Sequence, residues 1–328
     1  MPDVPVTFYT DVDDAALAGW RTLQPDREPG RLLRGDECWI AQTYARLRDA
    51  GVAVQLENRV PAEGVVVFYA GDKKRVWRGF DPRGRAMLVA VRSDRHPVGF
   101  ADVEIVQNAS SADGARTRHV PHWPQAGLLP RDPARGACVR TLLFPGTPQN
   151  LHEGFAGAAW QRFVAGRGIE FRCHYANACG GPPDWHDYRD VDLMLAIRPA
   201  AMGLVPHKPA WKLFNAWLAG VPAILGPEAG YRELRRGPLD YLEAADPAGA
   251  MQAVQRLLDE PGLYAAMVDN GHVRGAEFTV EANLARWRAL LDALAAECAD
   301  PARRPRSRLA RQGRDWALRV RRAWRPYS

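Results

Sequence analysis

Two lysines at the start of a predicted helix, Lys208 and Lys212, could together neutralise a bound phosphate group. They are four residues apart, so both side chains lie on the same side of a helix. Their charges add to the positive end of the helix dipole, which attracts anions. Together they could hold a diphosphate without a metal ion. Two ordinary solvated lysines on an amphipathic helix would have the same spacing.

The neighbouring segments are expected to bring further groups to these lysines. Residues 211 to 218 have the apolar spacing of a helix, which Gly220 can end in the left-handed conformation. Val221 to Leu225 then reads as a short buried strand. Arg198 and Gly146 each follow another predicted strand, and the carboxyl ends of parallel strands form the ligand-binding edge of an open α/β sheet. We therefore expect Arg198 and Gly146 to help bind a diphosphate.

The turn after the strand that ends at Leu225 supplies the next candidates. Glu228 and Glu233 flank a Gly-rich stretch that contains Gly230 and Tyr231. One carboxylate could contact a sugar or ribose, while the other could cap the following helix. The dinucleotide fingerprint GxGxxG and the P-loop pattern are both missing from the first strand-to-helix turn of this half, which argues against dehydrogenases and P-loop ATPases.

The order of residues from Phe214 to Ile224, FNAWLAGVPAI, followed by Gly230-Tyr-Arg-Glu-Leu, resembles the donor domain of the GT-B glycosyltransferases. The resemblance covers about residues 138 to 298. It implies two Rossmann-like domains facing across a cleft, with a nucleotide-sugar donor held by the second domain and an acceptor held mainly by the first. We predict the group that binds the sugar or ribose to be Asn215, Glu228, Gly230, Tyr231 and Glu233. Many retaining members have two glutamates at the positions of His207 and Asn215, so the stereochemical outcome stays open.

The first half of the chain is expected to supply the acceptor site and any catalytic base. An inverting enzyme needs a general base, and the candidates are Asp36, Asp72 and His122, of which Asp36 and His122 are our prediction. Asp36 also begins a predicted helix that runs to about Ala50, and capping of that helix would explain it equally well. Further candidates for contact with an acceptor are an aromatic ring that could stack on a sugar and two amides that could bind hydroxyl groups: Trp123, Gln125 and Asn108.

The length of 328 residues fits two domains, and the composition is that of a globular α/β protein. Short apolar runs alternate with helical patterns, which is typical of parallel sheets. We predict an N-terminal domain over residues 1–120, a Pro-rich connection over 121–136, a donor domain over 137–300 and an Arg-rich tail over 301–328.

The net charge of +6 is a property of the tail. Residues 301–328 contain ten Arg and one Asp, which is +9, so residues 1–300 carry 6 − 9 = −3. This distribution argues against nucleic-acid binding by the folded body. Within 303–325 the tail could form an amphipathic helix on an anionic membrane, the C-terminal helix that returns to the first domain in GT-B proteins, or a disordered segment.

The five cysteines include no CxxC pair, and we predict no bound metal and no cofactor. With no signal sequence or membrane-spanning run, a cytoplasmic location is expected, with possible association with the inner face of the membrane. The predicted function is metal-independent transfer of a sugar from a nucleotide-sugar to a glycan or lipid-linked acceptor. A GT-B epimerase, a phosphorylase and a non-catalytic sugar-binding or nucleotide-binding scaffold remain alternatives.

Overall fold

The computed structural model describes residues 4–175, 184–199, 207–302 and 307–324. The chain divides into two compact units. Unit 1 contains the residues up to Pro25, Arg34–His122 and the chain from Asn283 onwards. Unit 2 contains Asp26–Leu33 and Trp123–Ala282. The division differs from the sequence-based boundaries, because most of the last long helix lies in unit 1.

Unit 1 is built on a six-stranded sheet in the order β2-β1-β3-β4-β5-β6, in which each pair of neighbours is parallel. Its central strands are buried along their whole length, which is why they appear in the sequence as continuous apolar runs. The strands are β1 (Val6–Tyr9), β2 (Gln55–Glu57), β3 (Val65–Tyr69), β4 (Met87–Val91), β5 (Val103–Val106) and β6 (Thr117–His119).

Helices of unit 1 pack against strands of this sheet. A π-helical turn (Glu37–Ala41) leads directly into α2, and Trp39 and Trp287 are two of the largest side chains in the interior. The helices are α1 (Asp14–Arg21), α2 (Gln42–Asp49), α3 (Lys73–Gly79), α9 (Val280–Ala299) and α10 (Arg308–Trp324), of which α9 begins at the end of unit 2.

Unit 2 has a five-stranded sheet in the order β11-β10-β9-β7-β8, again with parallel neighbours. Its predicted strands are confirmed with small shifts at their ends. They are β7 (Thr141–Gly146), β8 (Glu170–Tyr175), β9 (Leu193–Ala196), β10 (Ala223–Leu225) and β11 (Leu242–Glu243). Its helices are α4 (Ala158–Ala165), α5 (Trp211–Ala219), α6 (Ala229–Leu234), α7 (Pro247–Asp259) and α8 (Pro261–Gly275).

The end of α5 confirms the role expected for Gly220. This glycine has φ 68° and ψ 37°, and its N–H donates to the carbonyls of Ala216 and Trp217. A residue with a side chain is strained in this left-handed conformation. The turn allows the chain to reverse into β10, which places the start of α5 and the end of β10 at the same edge of the sheet.

The helix α10 packs against unit 1, which favours the second of the three interpretations of the tail. Its Arg311 is fully buried, pairs with Asp102 at 2.8 Å and donates to the carbonyl of Phe100. A Cβ atom on Gly99 would lie 2.3 Å from the Cα of Asp315, so the helix backbone touches unit 1 directly at this glycine. The opposite side of α10 exposes Leu309 and Trp316, which are 80% and 68% accessible.

Three local predictions need correction. The strand β6 lies at the end of the predicted N-terminal domain and was not predicted, because its polar sequence, Thr-Arg-His, hides its pairing with β5. The residue pattern after the first strand of unit 2 predicts a helix from about Asn150 to Ala165, but the helix α4 begins at Ala158, after two 3-10 turns. Asp36 makes no capping hydrogen bond with its side chain and instead pairs with Arg34 at 3.0 Å.

Candidate functional site

The predicted diphosphate-binding residues meet at one edge of the sheet of unit 2. Gly146 is the last residue of β7, Arg198 follows β9, and Glu228 follows β10. These three strands are adjacent, so their carboxyl ends form a continuous edge. Because the chain passes from β7 to opposite sides of the sheet, the edge between β7 and β9 is the switch point at which open α/β sheets bind ligands.

Arg198 is held from two sides. Its Nη1 donates to the Oδ1 of Asn150, and its Nε pairs with the Oε1 of Glu228 at 2.9 Å. The two side chains of the ion pair are only 12% and 9% exposed. The Nδ2 of Asn150 in turn donates to the Oγ1 of Thr147 at 2.6 Å. The guanidinium is therefore held at the edge of the sheet. It can bind an anion there without a large loss of side-chain entropy.

Lys212 lies in the first turn of α5, with its Nζ 5.9 Å from the centre of the Phe144 ring. Burial, together with the positive charges of Arg198 and Lys208, lowers the pKa of Lys212 to about 7, and the charge of Glu228 opposes this only in part. A lysine with so low a pKa lacks a full counter-charge. The edge therefore has an excess of positive charge, which an anionic ligand would compensate.

Gly230 allows α6 to approach the segment that carries Lys208. A Cβ atom at this position would lie 2.6 Å from the backbone oxygen of Lys208 and 3.4 Å from the nitrogen of Ala210. Both neighbours belong to the backbone, so they cannot turn away as a flexible side chain could. Glycine is required here for packing, and the packing sets the position of the residues that precede α5.

The remaining sugar and ribose candidates have different environments. Asn215 is fully buried, and its Oδ1 accepts from the backbone N–H of Gln125 at 3.0 Å. Tyr231 is 2% exposed and packs against Tyr241. Glu233 is half-buried on α6. Asn215 and Tyr231 thus support the site from the interior, and Glu228 is the carboxylate of this group that pairs with Arg198 at the edge of the sheet.

The predicted acceptor-binding side chains lie in the interior. Trp123 is fully buried, Gln125 is 8% exposed and Asn108 is 4% exposed. The sequence placed Trp123 and Gln125 at a binding surface because aromatic and amide groups in a Pro-rich connection are equally compatible with sugar binding and with packing, and it placed Asn108 there because Asn108 directly follows an apolar strand. Trp123 has no exposed face on which a sugar could stack.

The candidate bases belong to unit 1. Asp36 pairs with Arg34, and its side chain is 21% exposed. The ring of His122 packs edge-on against Trp39, with 4.9 Å between the ring centres. Asp72 follows β3 and has a carboxylate oxygen, Oδ2, that is buried without a hydrogen-bond partner among the described residues. Of the three, Asp72 is the residue with an unsatisfied carboxylate.

Of two further contributors to the site, the sequence indicates Asn150 only as part of a turn whose backbone N–H groups could approach a phosphate, and it does not indicate Phe144. Asn150 fixes Arg198, and Phe144 lies beneath Lys212. The position of Asn150 in the turn after the first strand of unit 2 was a usable signal, whereas Phe144 looks like any other residue of a buried strand. In the described part of the chain, no three His, Cys, Asp or Glu side chains are grouped as metal ligands would be.

Comparison with known proteins gives a match in structure alone. No protein-family profile and no curated protein matches the chain. Sucrose-phosphate synthase from Thermosynechococcus elongatus matches with a TM-score of 0.55 at 13% identity, over 90% of this chain and 100% of that one. The Anabaena protein HepE in complex with UDP matches with a TM-score of 0.52 at 11% identity, over 88% of this chain and 100% of that one.

The chain has the GT-B fold of these glycosyltransferases. The GT-B fold agrees with the two parallel-sheet units and with the α/β class predicted from the sequence. HepE was also solved with UDP-glucose, and that structure matches with a TM-score of 0.52 at 10% identity, over 88% of this chain and 100% of that one. At such identities the likeness concerns the GT-B fold, and the chemistry has to be argued from the residues of this chain.

Proposed function

We propose that this GT-B protein is a glycosyltransferase that binds the diphosphate of a nucleotide-sugar at the edge formed by β7, β9 and β10 in unit 2. The observation that carries the proposal is the cationic group of Arg198, Lys208 and Lys212 at the switch point of the sheet. When the sugar leaves, negative charge develops on the diphosphate, and positioned cations stabilise that charge. Arg198, which is held in place by its neighbours, and Lys212, which lacks a full counter-charge, suit this role.

The donor we propose is a UDP-sugar, and the acceptor is the hydroxyl group of a glycan or of a lipid-linked glycan, as in polysaccharide biosynthesis. HepE, which shares the fold, was solved with UDP and with UDP-glucose. Three cationic side chains and the start of α5 can offset the charge of a diphosphate. We therefore propose that transfer needs neither a metal ion nor a cofactor.

Two alternatives use the same site differently. An epimerase would bind the same donor and return an altered sugar without an acceptor. A non-catalytic scaffold would bind the nucleotide without turnover, and the presence of His207 and Asn215 where many retaining enzymes have glutamates favours it. Asn215 is engaged in holding the backbone of Gln125, which is a structural role that a scaffold would also need.

Calorimetric titration of the full chain with UDP and with UDP-glucose tests the proposal. We expect binding in the micromolar range and about tenfold weaker binding by Lys208→Ala, since one charge-assisted contact contributes about 1.5–3 kcal/mol. Lys74→Ala, which removes an exposed lysine of unit 1, serves as the control and should bind like the wild type. Absence of UDP binding by the wild type at millimolar concentration would contradict the proposal.

Measuring glucose released from UDP-glucose then separates the alternatives. A transferase slowly passes the sugar to water when its acceptor is missing, while a scaffold releases none. An epimerase would convert UDP-glucose into a different UDP-sugar, which chromatography of the nucleotide products would detect.

We further propose that the exposed face of α10 contacts the anionic inner surface of a cytoplasmic membrane. No helix in the described part of the chain is long and apolar enough to span a membrane. On this face Leu309 and Trp316 are exposed, and the exposed Arg319, which pairs with Asp315 at 2.7 Å, lies near Trp316 on the same helix. Exposed apolar side chains near an arginine favour binding at a lipid surface.

Co-sedimentation with vesicles tests this contact. We expect the full chain to bind vesicles of phosphatidylcholine with one-third phosphatidylglycerol, and to bind pure phosphatidylcholine much less. Leu309→Ser combined with Trp316→Ser should reduce binding about tenfold, because two exposed apolar side chains are lost. Equal binding by the double variant and the wild type would exclude α10 as the contact.

A further inference from the structure

A cleft of about 300 Å³ lies between α3 and α10, two helices of unit 1. Its lining comes from these helices and from the segment that joins β4 to β5, which includes Phe100. The cleft is separate from the diphosphate-binding edge, because that edge is formed by strands of unit 2. A cavity of this volume lies at the lower end of the size range of small-ligand sites.

The floor of the cleft is aromatic and is held in place by packing. Phe100, which is 4% exposed, stacks on Phe68 with 5.9 Å between the ring centres, and lies 5.1 Å from the ring centre of Trp77. Trp77 also packs against Phe80. Trp316 of α10 lines the cleft too, but it is 68% exposed. The cleft therefore offers an apolar surface that is already in position, which favours an apolar part of a ligand.

The helix α10 is held against unit 1 by contacts that do not involve Trp316. The Oδ1 of Asp315 accepts from the backbone N–H of Gly99 at 3.2 Å, at the point where only a glycine lets the helix backbone approach so closely. One turn earlier, the buried Arg311 pairs with Asp102 at 2.8 Å. The position of the wall that α10 gives to the cleft is therefore set by the fold, and Trp316 is left available for a ligand.

The rim of the cleft is cationic. Lys73 of α3 and Arg319 of α10 both line it, and the guanidinium carbon of Arg308 lies 5.1 Å from the ring centre of Trp77. Asp315, a carboxylate of the lining, is bound by the Nε and Nη2 of Arg319. Because a guanidinium has five N–H donors in all, Arg319 can bind a second anion while it holds Asp315. The rim is therefore suited to a phosphate group.

An apolar floor beneath a cationic rim fits a ligand in which an anionic group is joined directly to an apolar chain. A nucleotide or a neutral sugar would bring many hydrogen-bonding groups against the aromatic rings, which cannot satisfy them. An anionic phospholipid has the required combination of groups. Trp316 belongs both to the cleft and to the exposed face of α10, so a lipid in the cleft would come from the same bilayer that this face is proposed to contact.

We propose that the cleft between α3 and α10 binds one anionic phospholipid. The phosphate lies at Lys73 and Arg319, and the first part of an acyl chain lies on Trp77, Phe100 and Trp316. The volume of the cleft accommodates a headgroup and a short length of chain, and the rest of the lipid stays in the bilayer. This inference rests on the membrane contact proposed above and adds to it a discrete site, which saturates at one lipid for each protein chain.

Calorimetric titration of the full chain with dihexanoylphosphatidylglycerol tests the site without a membrane surface, provided that this short-chain lipid is kept below the concentration at which it forms micelles. We expect saturable binding of one lipid per chain. Dihexanoylphosphatidylcholine should bind about tenfold more weakly, because its ammonium group meets the cationic rim. Glycerol phosphate should also bind about tenfold more weakly, because it has no chain to cover the aromatic floor.

Four variants locate the binding site. Lys73→Glu should weaken binding of the monomeric phosphatidylglycerol about tenfold, because a charge-assisted contact is lost. Arg78→Glu changes the net charge equally at an exposed position of α3 outside the cleft and should bind within twofold of the wild type. Trp316→Ser should weaken binding about tenfold, because the chain loses an apolar contact. Leu309→Ser, on the same helix but outside the cleft, should bind the monomeric lipid within twofold of the wild type.

Circular dichroism checks that each variant is folded, and the pair at positions 309 and 316 on the exposed side of α10 remains a test if Lys73→Glu does not fold. If the wild type binds anionic vesicles but shows no saturable binding of the monomeric phosphatidylglycerol, the cleft is not a lipid site and the membrane contact stands. If it binds neither, both proposals fail. Equal affinity for the two lipids, or equal affinity of Trp316→Ser and the wild type, would also overturn the site. The titration with UDP decides the glycosyltransferase proposal separately.

Discussion

Replacing Lys212 with methionine should weaken UDP binding about 100-fold and should at the same time stabilise the unliganded protein. Methionine fills a similar volume above the Phe144 ring and brings no charge to a site that already contains Arg198 and Lys208. The bound diphosphate loses a charge-assisted contact, and a loss of about 2.7 kcal/mol corresponds to the 100-fold change. The two effects have opposite signs because the charge of Lys212 destabilises the unliganded protein but stabilises the bound diphosphate.

The pH dependence of the stability gain follows from the lowered pKa of Lys212. Below pH 7 the unfolded chain carries a protonated lysine, and folding must place that charge in a site where its pKa is about 7. The cost is fully present below pH 7 and declines as pH rises towards the unfolded pKa of about 10.4. We expect the variant to gain roughly 2 kcal/mol in free energy of unfolding at pH 6.5. The gain at pH 9 should be smaller.

Urea unfolding at both pH values and calorimetry with UDP measure these effects. Lys74→Met on α3, where the lysine is exposed, is the matched control and should leave UDP affinity unchanged. Bound diphosphate should also raise the pKa of Lys212, so the wild type should take up a proton on binding at pH 8, and the methionine variant should take up less. A variant that binds UDP as tightly as the wild type would remove Lys212 from the site.

The sequence allowed the edge of the sheet in unit 2 to be predicted because its signals are local. The strand before Arg198, the helix that contains Lys212 and the glycine that ends it are each read from a few consecutive residues. Once the strands are known to be parallel, their carboxyl ends must lie at one edge. That argument places Arg198 and Gly146 together without any knowledge of their contacts.

The partners of these residues could not be predicted, because they are far apart in sequence. Arg198 contacts Asn150 and Glu228, which are 48 residues before it and 30 residues after it. The sequence also does not show which of these side chains are buried. A tryptophan in a Pro-rich connection has the same sequence signal whether it faces solvent or, like Trp123, lies fully buried.

The Arg198–Glu228 pair gives a second prediction with a large effect, in which a second substitution restores the stability of the protein but not its binding of UDP. Arg198→Met should lower the free energy of unfolding by about 3 kcal/mol, because it leaves Glu228 as an unpaired charge in a site where it is 7% exposed. Combining it with Glu228→Gln should recover most of this loss, since the uncompensated carboxylate is then neutral. UDP binding should remain weak in both variants, because both lack the guanidinium that we propose contacts the diphosphate.

The exposed pair Arg256–Glu260 is a natural control for this effect. Its atoms are 3.1 Å apart, yet its side chains are 52% and 51% exposed, so Arg256→Met should cost less than about 0.5 kcal/mol. Urea unfolding of the variants at pH 7 gives the comparison. If Arg198→Met lowers the free energy of unfolding no more than Arg256→Met does, the Arg198–Glu228 pair is not desolvated. If the double variant binds UDP as well as the wild type, the cation of Arg198 plays no part in binding, and Lys208 and Lys212 alone would have to hold the donor.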